Sequence, residues 1–490
     1  MSHFLEEGVE ITAARVLPAG VIPPQALPGN KGHAQPSFPA LCQVEGIINR
    51  RSGAEGVEYG IRFAIGLPMD WNGRLLFQGG GGYNGSFRPP VGWAGSAGGT
   101  ATARGFAVIV SDSGHRGAEF DRSFQRDQQS AIDYAYLAVP TVTLLGKELT
   151  AAFYGRAPHH SYSLGCSTGG REGMMAAQRY PALFDGVVAG SPAMRTEHTR
   201  LGVWNAMVAF NRISPRDLDG KPLPLQAFPE ADQRLLHTAV AKQCDALDGL
   251  TDGLVLNLPA CRFDPAILQC GGRKDQSCLS VAQVDALKTA FRGPVNSRGL
   301  PAYAGYPWDL GLLGEYVGNP IGVLPGKVLP EPYTETLPDP FALDIDGLVD
   351  AIYLNGRQTL QDTATLTDLG SFYRRGGKIM FYHGASDPWF SLFDTLSYFE
   401  NNKAANPEFD SSRLYSVPGF GHCTGGGLNR FDMLDDLVSW VEEDRAPTAV
   451  MAGDWEDQIG SRPLCPWPQY GRYRGTGDRQ SASSFECVLS

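Results

Sequence analysis

Three residues far apart in this chain combine into one chemistry. Ser167 lies in Gly165-Cys166-Ser167-Thr168-Gly169, the only G-x-S-x-G of the sequence, between a short apolar run and a helical pattern. A serine hydroxyl is a poor nucleophile until a base accepts its proton, and the base needs a carboxylate to fix its tautomer and stabilise its cation. Asp387, in His383-Gly-Ala-Ser-Asp387-Pro388, and His422, in Pro418-Gly-Phe-Gly421-His422, supply those groups in the order serine, acid, histidine. Each motif has a plainer reading. With 60 glycines the pentapeptide alone is a weak signal, Asp387 before a proline suits a turn, and a histidine in a glycine-rich loop is often merely solvated. Their shared order, each after a strand pattern, favours a Ser167–Asp387–His422 triad performing two-step acyl transfer.

Such residues need a sheet edge to project from. Arg74-Leu-Leu-Phe77 runs into Gly79–Gly82, Phe106-Ala-Val-Ile-Val110 into Ser111-Asp-Ser-Gly114, and Ser161-Tyr-Ser-Leu164 into Gly165. After Thr168, Gly173–Arg179 reads as a helix stopped by Pro181, followed by the strand Gly186–Ala189. Strands and helices alternate in this way through the first 190 residues, which predicts a parallel sheet. The pattern resumes at Lys378–Tyr382 and Arg413–Val417, with an amphipathic helix over 433–443. Asp387 and His422 each follow one of these strands, on the same edge as Ser167. The expected class is therefore an α/β-hydrolase fold. The helix after Ser167 makes the Thr168 amide an oxyanion donor, and one of Gly80–Gly82, with Gly81 as the candidate, supplies the second. A phosphate-binding role for the tetraglycine fails because no Lys-Ser/Thr follows it.

Between about residues 194 and 365 the texture changes to long helical patterns such as Glu230–Lys242, a cysteine-bearing stretch and Pro/Gly-rich segments. At 490 residues the chain exceeds what one core usually fills. We read 1–193 and 366–490 as the two parts of the catalytic core, and 194–365 as a large inserted lid. A net charge of −11 and the absence of a basic face argue against a nucleic-acid partner. No apolar run is long enough to cross a bilayer. Nine cysteines include the close pairs Cys244/Cys261, Cys270/Cys278 and Cys465/Cys487, whose spacings suit disulfide-closed loops in an oxidising compartment. Metal binding by these cysteines is the rival reading, and it lacks any C-x-x-C pair. The chain begins Met1-Ser-His-Phe-Leu-Glu-Glu, without a basic or apolar leader. An export signal is either absent or removed; the disulfide reading favours removal and a secreted protein, extracellular or periplasmic.

Cys244-Asp245-Ala-Leu-Asp248-Gly-Leu250-Thr-Asp252-Gly-Leu254 carries three aspartates and two glycine turns. Closely spaced carboxylates and carbonyls suit a hard cation such as Ca²⁺, although the spacing is not that of an EF-hand and a solvated Asp-Gly turn explains it equally well.

Taken together, Gly165–Gly173 (GCSTGGREG), Tyr382–Phe390 (YHGASDPWF) and Val417–Cys423 (VPGFGHC) resemble the tannase and feruloyl esterase family, which includes the mono(hydroxyethyl) terephthalate hydrolases. The resemblance spans almost the whole chain. It implies a disulfide between Cys166 and Cys423, tying the nucleophile and base loops. It implies a structural Ca²⁺ in the lid, bound by side-chain oxygens of Asp245, Asp248 and Asp252 and the carbonyls of Leu250 and Leu254. It further implies esters of aromatic carboxylic acids (feruloyl, galloyl or terephthaloyl) as small-molecule substrates, with His383 and Phe390 lining the pocket. Aromatics of the lid could hold a phenyl ring, but Trp308, Tyr316 and Tyr353 are each more often core residues. The family usually pairs the position of Cys42 with an upstream cysteine, which this chain lacks. A peptidase or acyltransferase on the same fold, or a non-catalytic binding relative, are the competing functional classes; the last would normally have lost one of the three triad residues.

Overall fold

A computed structural model describes residues 8–22, 36–93, 99–313, 337, 339–456 and 458–490. Nine strands form one mixed sheet: β1 (Val9–Leu17), β2 (Leu41–Ser52), β3 (Glu58–Pro68), β4 (Arg74–Gln78), β5 (Ala107–Ser111), β6 (His160–Cys166), β7 (Gly186–Gly190), β8 (Lys378–Gly384) and β9 (Ser412–Val417). Their spatial order is β1-β2-β3-β5-β4-β6-β7-β8-β9. From β5 to β9 neighbours are parallel, and each sequence-predicted strand is found within two residues of its expected bounds.

The first 68 residues correct the expectation of unbroken strand–helix alternation. β1, β2 and β3 are joined antiparallel, as a meander without α-helices, and β3 in turn pairs antiparallel with β5. Antiparallel strands join through short turns and can leave one face wet, so β1 alternates half-buried and exposed positions. In β5 and β7 every residue is buried, as the apolar runs Ala107-Val-Ile-Val110 and Gly186-Val-Val-Ala189 require.

Alternate residues feed two cores. Leu75, Phe77, Ile109, Val187, Ile379 and Phe381 face one side, which is covered by the helices α1 (Ala138–Tyr154) and α2 (Thr168–Arg179). Leu76, Val108, Val188, Met380 and Tyr382 face the other, covered by Leu434, Leu437 and Trp440 of a helix at Leu434–Glu443. Residues 194–365 contribute α3 (Thr196–Ile213), α4 (Glu230–Cys244) and α5 (Val281–Arg292). Their apolar side chains, among them Phe210, Phe228, Leu236 and Leu287, join the first core without a break. Trp308 belongs there too, stacked on Phe291 at 3.6 Å, whereas Tyr353 is exposed and Tyr316 lies outside the described residues.

Candidate active site

Strand β6 ends at Cys166 and α2 begins at Thr168, so Ser167 alone makes the turn. Its backbone sits at φ 61°, ψ −123°, a strained conformation for a residue with a side chain. The turn closes because its flanks are bare. A methyl on Gly165 would lie 2.5 Å from the Gly169 carbonyl carbon, and one on Gly79 would lie 2.5 Å from the Gly169 α-carbon. The tetraglycine therefore packs directly on the elbow, held by bonds from the Gly169 amide to the Gly80 carbonyl (3.0 Å) and from the Thr168 hydroxyl to the Gly82 carbonyl.

Asp387 lies in the turn after β8 and is fully buried. Its Oδ1 accepts the amides of Trp389 (2.9 Å) and Phe390 (3.0 Å), and its Oδ2 accepts Nδ1–H of His422 (2.7 Å). A carboxylate only accepts, so the proton of a neutral His422 resides on Nδ1 and Nε2 is left as the base. Burial disfavours the charged form of Asp387, but the proximity of His422 and a hydrogen bond from His383 outweigh it. The carboxyl is held well below the usual carboxylate range. A disulfide between Cys166 and Cys423, with Cα atoms 5.9 Å apart, places the nucleophile and the base on adjoining loops.

Ser167 and His422 face one cavity of about 240 Å³, lined also by Gly81, Arg88, Trp93, Glu119, Phe120 and Trp389. Among the described hydrogen bonds none joins Ser167 to His422; such contacts often tighten only when substrate is bound. The Gly80 amide is taken by Glu172 (2.8 Å), which leaves Gly81 and Gly82 of the three expected oxyanion donors. No described residue accepts from the amides of Gly81 or Thr168.

The match to known proteins decides the family. The family model "Tannase and feruloyl esterase" covers residues 42–320 and 342–488. The mono(2-hydroxyethyl) terephthalate hydrolase of Piscinibacter sakaiensis is 38% identical over 92% of this chain and 85% of its own length. The chain belongs to the tannase and feruloyl esterase family. A probable feruloyl esterase B-2 of Aspergillus flavus is 30% identical over 80% of this chain and 77% of its own. Feruloyl esterase B from Aspergillus oryzae superposes with a TM-score of 0.77 at 26% identity, covering 99% of this chain and 98% of that one. Tannin acyl hydrolase from Aspergillus niger shares the fold, with a TM-score of 0.70 at 22% identity over 100% and 93% of the two chains.

Within this member of the tannase and feruloyl esterase family, two expected pocket residues are displaced. His383 does not line the cavity: it is wholly buried in β8, with Nε2 against the Phe390 carbonyl (2.8 Å) and Nδ1 against the Thr395 hydroxyl (2.9 Å). A carbonyl only accepts, so Nε2 carries the proton, 3.4 Å from Oδ2 of Asp387. The residue buttresses the acid from behind. Phe390 packs against the His422 ring at 5.1 Å and is nearly buried, while its neighbour Trp389 reaches the cavity. Trp389 lies within the YHGASDPWF motif, where nothing in the sequence distinguishes it from its neighbours. Arg88 and Glu119 lie in loops whose sequence carries no periodic signal.

The other three disulfides join Cys244 to Cys261, Cys270 to Cys278 and Cys465 to Cys487, and Cys42 has no disulfide partner. In the 245–254 loop the aspartates are turned onto backbone. Asp245 accepts the amides of Asp252 and Gly253, Asp248 those of Leu250 and Leu256, and Asp252 that of Leu254 together with Arg462 (2.6 Å). The Asp248 carboxyl is pushed up to about 7, by burial first and by the nearby charges of Asp252 and Asp245. Among the described residues the one trio of metal-ligating side chains converging within 4.8 Å is His159, His160 and Glu442, at the opposite end of β6 from Ser167. There Glu442 is already engaged by Arg74 (2.6 Å) and the Tyr162 hydroxyl (2.6 Å).

Proposed function

We propose that this chain is a serine carboxylesterase acting on esters of aromatic carboxylic acids through an acyl-enzyme. The observation that carries the reading is the 2.7 Å contact of His422 with a buried Asp387, on a cavity shared with Ser167 at a strained elbow. Nε2 of His422 takes the Ser167 proton as Oγ attacks the ester carbonyl. The amides of Thr168 and Gly81 hold the developing oxyanion. His422 then protonates the departing alcohol and activates the water that releases the acid.

Two features favour an aromatic acyl group: the relatives' named activities and the cavity itself. At about 240 Å³ it is smaller than the roughly 300–1,000 Å³ of drug-sized pockets and suits one substituted ring beside Trp93, Phe120 and Trp389. The test is a panel of methyl ferulate, methyl gallate, mono(2-hydroxyethyl) terephthalate and a short aliphatic ester, with Ser167→Ala as control. Equal rates across the panel would remove the aromatic assignment, and full activity in Ser167→Ala would remove the mechanism.

A structural Ca²⁺ held by Asp245, Asp248 and Asp252 with the carbonyls of Leu250 and Leu254 is part of the same proposal. Support comes from the chemistry of the donor set: three carboxylates within ten residues, two of them buried, with the charges of Asp245 and Asp252 near enough to raise the Asp248 carboxyl, a repulsion that a hard cation relieves. Secretion is proposed from the four disulfides, which persist in an oxidising compartment. No helix among the described residues is long and apolar enough to cross a membrane.

A further inference from the structure

Residues 303–311, from the inserted region, run as a strap behind the acid and base loops. The Tyr303 hydroxyl accepts the Ser391 amide (3.0 Å), the Ser391 hydroxyl donates to the Gly305 carbonyl, and the Tyr306 hydroxyl donates to the Trp389 carbonyl (3.3 Å). Trp308 anchors the strap by stacking on Phe291. The next residue is Asp309, 1% exposed, whose Oδ2 accepts three donors: the Gly419 amide (2.9 Å), the Gly311 amide (3.3 Å) and the Ser386 hydroxyl.

The Gly311 bond alone would make Asp309 an ordinary cap of the short turn that follows it. The other two partners are 77 and 110 positions away, and each adjoins the triad. Ser386 immediately precedes Asp387, and Gly419 lies three residues before His422. Strap and loops also meet without spare room: a methyl at Gly311 would overlap Ser386 Oγ and come within 2.8 Å of the Gly419 carbonyl oxygen.

We propose that Asp309 is a positioning residue for catalysis: one buried carboxylate oxygen fixes the acid turn and the base loop relative to each other, so that the inserted region sets the Asp387–His422 geometry. The inference rests on the serine-esterase reading above. Misplacing a catalytic group by about 1 Å costs up to roughly 100-fold in rate. Asp309 itself lines no part of the cavity in which the ester binds.

The experiment measures kcat, KM and Tm for Asp309→Ala, Asp309→Asn and Ser386→Ala on mono(2-hydroxyethyl) terephthalate or whichever ester of the panel is best hydrolysed, with Ser167→Ala alongside. Asp309→Ala is expected to lower kcat about 10- to 100-fold while KM stays within about threefold. Asp309→Asn, which keeps an oxygen for the three donors, is expected to recover most of kcat. Ser386→Ala, which deletes one bond and keeps the fold should Asp309→Ala fail to express, is expected to lose about 3- to 10-fold in kcat. Variants that lose Tm but turn over like the parent would overturn the inference and leave Asp309 a structural residue. An inactive Ser167→Ala beside that result would confine the failure to Asp309; an active one would instead sink the esterase reading.

Discussion

Glu172, on the helix that starts one residue after Ser167, takes the Gly80 amide at 2.8 Å with one carboxylate oxygen. The other oxygen accepts Asn84 (2.9 Å) and Ser113 (3.0 Å), and the whole group is buried. The nucleophile helix thus dictates the shape of the loop that carries Gly81. Glu172→Ala frees the loop and is expected to lower kcat about 10- to 100-fold with a smaller change in KM. Glu172→Gln, which still offers Gly80 an oxygen, is expected to lose less. Steady-state kinetics on circular-dichroism-matched protein decides it; equal losses in KM and none in kcat would mean that the loop merely binds substrate.

Removing the Cys166–Cys423 bridge tests a different coupling. The bond closes a separation of 257 residues, for which the chain-entropy model gives about 5–6 kcal/mol, against the roughly 2–5 kcal/mol that removal of a native disulfide typically costs. Cys166→Ser/Cys423→Ser is therefore expected to melt several degrees lower. It is also expected to lose kcat at temperatures where it remains folded, because the two cysteines adjoin Ser167 and His422 in sequence. A variant that melts lower but keeps its kcat at 25 °C would show the bridge to act on stability alone.

Chelation addresses the aspartate loop. With Ca²⁺ bound there, EDTA lowers Tm and added Ca²⁺ restores it, while kcat at 25 °C barely moves because the loop lines no part of the catalytic cavity. Asp248→Ala is expected to abolish the Ca²⁺-dependent shift. Identical melting curves of the parent with EDTA and with Ca²⁺ would dismiss the cation.

A pH dependence follows from Glu442. Burial works against its charge, yet hydrogen bonds from Arg74 and Tyr162 outweigh it and hold the carboxyl at about 2. A depressed carboxyl contributes stability above its unfolded value of about 4.3 and loses it as pH falls toward the folded value. The Tm gap between the parent and Glu442→Gln should then be widest near pH 6–7 and narrow progressively below pH 4.5. A gap that is constant across that range would assign the effect to packing.

Much of the candidate site was legible because each member of the proposed triad follows an apolar strand, and strand ends are written in local sequence. Gly165 and Gly169 disclosed the elbow because only bare residues let β6 and α2 meet so closely. What stayed hidden depends on direction and distance. His383 and Phe390 are near Asp387 in sequence, but the pleat turns His383 into the sheet interior, and the turn that wraps Asp387 brings Trp389 rather than Phe390 to the cavity. Glu172 was visible within the GREG motif without any sign of its partners, which come from 59 to 92 positions away. Asp309 carried no signal, since its partners are fixed only by the packing of the inserted region. The meander of β1 to β3 was folded into the alternating pattern because half-exposed strands such as β1 give a weaker signal than the unbroken apolar runs of β5 and β7.

The strand order has a consequence for how the enzyme comes into being. β7 pairs with β6 on one side and β8 on the other, and some 190 residues separate β7 from β8 in the chain. A polypeptide emerging from the ribosome therefore displays the serine turn on an unfinished sheet edge, without the proposed acid, base or bridge, until synthesis has passed residue 423. Hydrolytic power is withheld from the nascent chain by topology, and so is protection of that edge.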